Sequence, residues 1–189
     1  MSRRLPVLVS FLLLAMLGGC TAETNVVTDD VLVTVGNIAL DRRNTPVVIL
    51  EEADGPRVLP IWIGAAEATS IALQMREIST PRPNFHDLAQ RLIHQLDAEV
   101  VRLVVTELRH GTYYAVLTLR SRGHTVEIDV RPSDGIAVAL RTEAPILVRA
   151  SVFDAAGELM DDDGLGPSIR WNTPKDGDQQ QEATHALML

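Results

Sequence analysis

Apolar and polar side chains alternate with a period of two over residues 31–40, 46–52 and 58–63, the pattern of strands that bury one face. Helical patterns follow over 65–77 and about 85–96. The two-residue period then returns over 99–108, 112–120 and 125–130, with the His110-Gly111 and Arg122-Gly123 pairs as turns between strands. At the end of the last of these, Ile128 and Val130 flank Asp129, and Pro132 and Ser133 supply the start of a helix expected over 133–142. A final strand is expected over 146–153.

The order of these elements repeats. Sliding the chain by 67 residues places 31–73 on 98–140 without a gap, and Ile61, Ile63, Glu67, Ala72 and Leu73 fall on Ile128, Val130, Asp134, Ala139 and Leu140. Each half reads as three strands and a helix with an acid in its first turn. The expected fold class is therefore α+β, with mostly antiparallel strands from a duplicated βββα unit, an extra helix and a final strand. Two sheets are expected to share one core. Few positions are identical between the halves, so two coincident amphipathic patterns remain the alternative to duplication.

The flanks read differently. Arg3 and Arg4 precede an uncharged apolar run over 5–17, and Leu17-Gly18-Gly19-Cys20 has the small-residue pattern of a bacterial lipoprotein signal. Residues 1–19 read as that signal, 20–30 as a tether beginning at a lipidated Cys20, 31–157 as the domain and 158–189 as a disordered acidic tail. Such a protein is lipid-anchored in the cell envelope, extracytoplasmic, and bound to the membrane without crossing it. An ordinary secretory signal or a retained anchor is the alternative. The run Asp161-Asp162-Asp163-Gly164 lacks the alternating ligands and distal Glu of a calcium loop and reads as a solvated charge run.

Cys20 is the one cysteine, so neither an internal disulfide nor a cysteine-rich metal site is available. The whole chain carries a formal charge of −8, which argues against strong nonspecific affinity for nucleic acid. The excess acid lies in the flanks, however, since 31–156 holds 13 Arg against 15 Asp or Glu. Arg binds phosphate in a two-pronged way that Lys cannot, and Lys175 is the only lysine, although a compositional bias of the source would produce the same skew.

Glu67, His86, Asp87, Asp129, Arg131, Ser133 and Asp134 are polar groups at strand ends or helix starts, where separate segments can converge. Each also has a structural explanation. Asn84 with Asp87 is close to a capping box, Ser133 suits an N-cap, Gly64 with Glu67 suits a helix start, and first-turn acids are favoured by the helix dipole. No HExxH spacing, Gly-x-Ser-x-Gly elbow or Gly-rich phosphate loop occurs. Aromatic residues are too few for an extended base-stacking platform, and adjacent Tyr113 and Tyr114 face opposite sides of one strand.

Arg131-Pro132-Ser133-Asp134 behind an apolar strand, Pro81-Arg82-Pro83-Asn84-Phe85-His86-Asp87-Leu88, Leu59-Pro60-Ile61-Trp62-Ile63-Gly64 and Glu143-Ala144-Pro145-Ile146-Leu147-Val148 occur in an order that resembles the bifunctional nuclease family. The resemblance spans roughly 31–157. Phe85 stands where the family usually has a small or hydroxyl residue, and Gly135 where it usually has Ala. The resemblance implies hydrolysis of phosphodiester bonds in DNA and RNA and points to a homodimer.

That chemistry needs phosphate neutralised, a water aligned and leaving-group charge offset. Arg131, with Arg82 and Ser133, is the expected phosphate or substrate-binding set, and His86 the expected general base or acid. Asp87 is expected to orient His86, or to join Glu67 and Asp134 around a magnesium or manganese ion. A His-Asp dipeptide on a helix points its side chains about 100° apart, so the two do not form a simple dyad. A noncatalytic envelope module that binds a partner or small anion with the same fold is the second reading.

Overall fold

A computed structural model describes residues 29–157 and 169–170. The first half forms β1 (Asp30–Asp41), β2 (Pro46–Glu52), β3 (Val58–Trp62) and α1 (Ala65–Met75). Helix α2 (Phe85–Gln95) follows, and then the second half repeats the pattern as β4 (Ala98–Arg109), β5 (Thr112–Ser121), β6 (His124–Val130) and α3 (Pro132–Thr142). The described chain closes with β7 (Ile146–Arg149), α4 (Ala150–Gly157) and the short β8 (Ile169–Arg170).

Each half is an antiparallel meander followed by a helix, so the α+β fold and the repeated βββα order are present. The hairpins of the second half turn through His110-Gly111 and Arg122-Gly123, all four residues having φ between 51° and 79°. Consecutive positive φ values match the right-handed twist of the flanking strands, and glycine adopts them without steric cost.

Two expectations are corrected. The halves do not form separate sheets: the strands run β3-β2-β1-β7-β4-β5-β6 in one sheet, with β8 paired to β1. Strand β7 is the join, antiparallel to β1 and parallel to β4. The chain also leaves the strand conformation at Ala150 instead of continuing to Phe153. Ile146 and Val148 bury on the strand period, after which Val152, Phe153 and Ala156 bury on a helical one.

One core serves both halves. Val48, Leu50, Leu59 and Ile71 of the first meet Leu103, Val105, Leu117 and Ile136 of the second in a single apolar cluster. Helix α3 is buried along most of its length and touches α1, α2, β4 and β5. This arrangement brings the first turns of α1, α2 and α3 within side-chain reach of one another.

Candidate functional site

Each of the three helices carries an acid at its third residue: Glu67 in α1, Asp87 in α2 and Asp134 in α3. A carboxylate there is stabilised by unpaired N–H groups at the helix start. Two of the three are turned to another task. Arg131 precedes α3 as its N-cap residue, and its guanidinium lies between the duplication-related acids. Nε donates to Asp134 Oδ2 at 2.6 Å, while Nη2 donates to Asp134 Oδ1 at 3.0 Å and to Glu67 Oε1 at 2.7 Å. The Arg131 side chain is nevertheless 68% exposed, against 27% for Asp134 and 16% for Glu67. The sequence counterpart of Arg131 in the first half is Gly64, where any side chain would run into the Glu67 carboxylate.

His86 stands behind Asp134. It is 5% exposed, with Nε2 3.2 Å from Asp134 Oδ1 and Nδ1 2.9 Å from Ser70 Oγ. Burial raises the pKa of Asp134, and the hydrogen bonds from Arg131 and then His86 outweigh it, leaving the carboxyl below its usual range. The hydrogen bonds that Arg131 gives to Asp134 and, to a lesser extent, Glu67 raise its own pKa.

Asp87 points elsewhere. Its Oδ2 accepts from Asn84 N at 2.8 Å while Asn84 Oδ1 accepts from His86 N and Asp87 N, which completes a capping box. Its Oδ1 accepts from Arg141 Nε at 2.7 Å. Burial raises the Asp87 pKa, but the bonds from Arg141 and the Asn84 backbone bring it below the ordinary value. The expectation that Asp87 orients His86 or joins Glu67 and Asp134 is thus corrected, because its two oxygens close the α2 cap and hold Arg141.

Ser133 is likewise not the N-cap. Arg131 takes that place, Pro132 leads the helix, and Ser133 is buried in the first turn. Arg82 is exposed in the loop before α2 and makes none of the cluster's hydrogen bonds.

A divalent cation between Glu67 and Asp134 does not fit this donor set. Both carboxylates hold one guanidinium, and the imidazole nitrogen beside them, His86 Nε2, is engaged with Asp134. Among the described residues no group of three or more His, Cys, Asp or Glu side chains is disposed to bind a metal.

The cluster ends an open groove of about 470 Å³ between α2 and the β5–β6 hairpin. Leu117, Leu119, Ile128 and Val130 line it from the hairpin, Phe85, Ala89, Leu92 and Ile93 from α2, and Asp129, Arg131 and Asp134 at the polar end. Phe85 is 72% exposed, beside His86 at that end.

Three contributors to the cluster have no role in the sequence-based expectations: Ser70, Asn84 as a link to it, and Arg141. Arg141 is 7% exposed and donates to Asp87, to Ser70 Oγ at 2.9 Å, to Ser70 O at 3.3 Å and to Ala137 O at 2.8 Å. The available signal is its setting, since a cation on a helix as apolar as 132–142 needs buried acceptors.

The fold and the cluster define a duplicated α+β domain whose polar centre is shared by the two halves. The chain belongs to the bifunctional nuclease domain family, whose model matches residues 48–161. An uncharacterized protein of Mycobacterium tuberculosis (strain ATCC 25618 / H37Rv) is 41% identical over 121 residues, which is 64% of this chain and 72% of that protein. Bifunctional nuclease 1 of Arabidopsis thaliana is 30% identical over 107 residues, 54% of this chain and 33% of its own. Bifunctional nuclease 2 of Oryza sativa subsp. japonica is 30% identical over 116 residues, 59% of this chain and 36% of its own. The chain thus spans about a third of the length of these two plant relatives.

Proposed function

We propose that this protein is a membrane-tethered nuclease hydrolysing phosphodiester bonds of DNA and RNA at the Arg131 end of the groove. The observation that carries the reading is the state of Arg131. Nε and Nη2 are held by two carboxylates, the side chain is largely exposed, and Nη1 makes no bond to the protein among the described residues. A guanidinium fixed in this way presents N–H donors to a phosphate without first losing its own freedom. As charge builds on the phosphoryl oxygens, Nη1 offsets it.

The other residues take supporting roles. Phe85 offers one face on which a base of a single strand can stack, a contact available to any base and therefore suited to both DNA and RNA. Glu67 binds Arg131 through Oε1, which leaves Oε2 to orient the attacking water. Asp134 and His86 hold the clamp. Ser133 contributes through the start of α3, where helix N–H groups favour an anion, and Arg82 meets the strand outside the groove. The names of the plant relatives, bifunctional nucleases, support the same substrate class.

Lipidation at Cys20 would anchor the domain in the cell envelope, outside the cytoplasm, where its substrate is imported, environmental or released nucleic acid. Residues 1–28 lie outside the described residues, and no described helix is long and apolar enough to cross a membrane. A homodimer forms, in this reading, through the far end of the groove. There α2 exposes Leu92, its C-cap residue Leu96 is exposed, and β6 exposes Val126 beside a strand edge that no other described strand pairs.

A noncatalytic anion-binding module is favoured by one specific observation. Asp134, the acid nearest the clamp, has a lowered pKa and is a weak proton acceptor, and both ring nitrogens of His86 are already engaged. Incubating the purified protein with labelled single-stranded DNA and RNA, with and without a chelator, separates the readings. The nuclease shortens the polymer, whereas the module leaves it intact and bound. Loss of activity on chelation would show that cleavage needs a divalent cation, without assigning that cation to Glu67 and Asp134, whose carboxylates hold Arg131.

A further inference from the structure

We propose that Ser70, supported by Arg141 and Asn84, is a positioning residue: it decides which nitrogen of His86 carries hydrogen, and His86 thereby aims Asp134 at the Arg131 clamp. The inference deepens the functional reading above and rests on it only for the purpose of the clamp. The hydrogen-bond argument stands on geometry alone.

A serine hydroxyl has one hydrogen to give and two lone pairs. Three groups lie within hydrogen-bond distance of Ser70 Oγ: Arg141 Nη2 at 2.9 Å, Asn84 Nδ2 at 3.1 Å and His86 Nδ1 at 2.9 Å. Arginine can only donate. The Asn84 amide is oriented by its other end, because Oδ1 accepts from the backbone N–H groups of His86 and Asp87 at 2.9 and 3.0 Å. Its Nδ2 therefore faces Ser70 as a donor. These two donors fill both lone pairs, and the single hydroxyl hydrogen goes to the remaining neighbour, His86 Nδ1.

Nδ1 is then an acceptor, so the ring hydrogen sits on Nε2 and points at Asp134 Oδ1, which can only accept. One direction runs through the whole relay, from Arg141 and Asn84 to Ser70, from Ser70 to His86, and from His86 to Asp134. The opposite tautomer would set hydrogen against hydrogen at Ser70 and a lone pair against the carboxylate at Asp134. Ser70, His86 and Arg141 are 4%, 5% and 7% exposed, which leaves little access for water to repair such a mismatch. The relay ties α1, the α2 cap and α3 to one carboxylate. That carboxylate meets Arg131 through both oxygens, so its rotation decides where the guanidinium points.

The test is nitrogen NMR of the imidazole rings in the full-length protein labelled with ¹⁵N-histidine, with His86→Gln used to assign the His86 signals. The expected wild-type result is a single Nε2–H tautomer at His86. In Ser70→Ala, a small change that keeps the helix, that preference is lost and a mixture appears. Asn84→Asp, which removes the Nδ2 donor and leaves the hydroxyl free to turn away, is expected to weaken the preference as well. Cleavage of labelled single-stranded DNA by Ser70→Ala is expected to fall about tenfold, the scale on which partners behind a working group act. A wild-type His86 carrying its hydrogen on Nδ1, or a Ser70→Ala spectrum unchanged from wild type, overturns the proposal. Failure of the wild type to cleave any substrate would count against the nuclease reading alone, since the tautomer is measured without substrate.

Discussion

Replacing Arg141 with Ala is expected to be among the most destabilising polar substitutions in this fold. The side chain is buried and donates to four acceptors on α1, α2 and α3, of which the Asp87 carboxylate is the charged one. Removing one member of a buried ion pair costs about 3–5 kcal/mol, most of it from the charge left without a partner. The Asp87 side chain is 26% exposed, so water can partly rehydrate it, which places the loss near the lower end, at about 3 kcal/mol. For a body of this size that corresponds to a fall in Tm of roughly 10–15 °C. Arg141→Lys keeps the charge but not the planar fork that spans Asp87 and Ser70, and should recover less than half of the loss. Urea unfolding followed by circular dichroism measures both variants against the wild type. A loss below about 1 kcal/mol for Arg141→Ala would refute the claim that this side chain ties the three helices together.

Other consequences follow from the same contacts. Asp87 and Asp134 both have pKa values lowered on folding, so their contribution to stability is complete above their unfolded value of 3.8 and is lost as pH falls through the lower folded values. Urea unfolding at pH 5 and pH 3 should therefore show a drop that Asp87→Asn reduces; an equal drop in that variant would contradict the assignment. Gly135→Ala should destabilise by about 1 kcal/mol, because a gain in helix propensity of up to about 1 kcal/mol is outweighed by overpacking. The new methyl would meet Leu103, which is fully buried, and the Val130 side chain, so a more stable variant would show that this part of the core relaxes freely. Light scattering on the purified protein should give two copies per particle, and Leu92→Glu one; a monomeric wild type at high concentration rules out the α2–β6 dimer.

The meanders were legible because their strands bury one face and so carry a two-residue period, and the Gly-containing turns mark where they reverse. What joins them was not. Strand β7 has four residues and gains its place from flanking β1 and β4, a matter of strand order on which periodicity is silent. The stretch from Ala150 to Phe153 reads as a continuation of that strand, and only the burial of Ala156 together with Val152 and Phe153 reveals the helix. The convergence of Glu67 and Asp134 was foreshadowed by their equivalence under the 67-residue shift. Arg131 as a partner of both was not, since its counterpart is glycine. Ser70 carries no local pattern that marks it as more than a helix residue, and Arg141, 71 positions further on, is marked only as a cation on a largely apolar helix, with nothing to say that Ser70 is its partner.

The Arg131 clamp is tested most directly by comparing single-turnover cleavage of a labelled single-stranded oligonucleotide by the wild type and by Arg131→Ala, with unfolding curves showing both to be folded. Removing one donor that stabilises transition-state charge lowers the rate about 10²–10³-fold, and that is the fall expected here. A wild type that cleaves, with an Arg131→Ala variant that cleaves equally fast, would contradict the assignment of the reaction to this cluster.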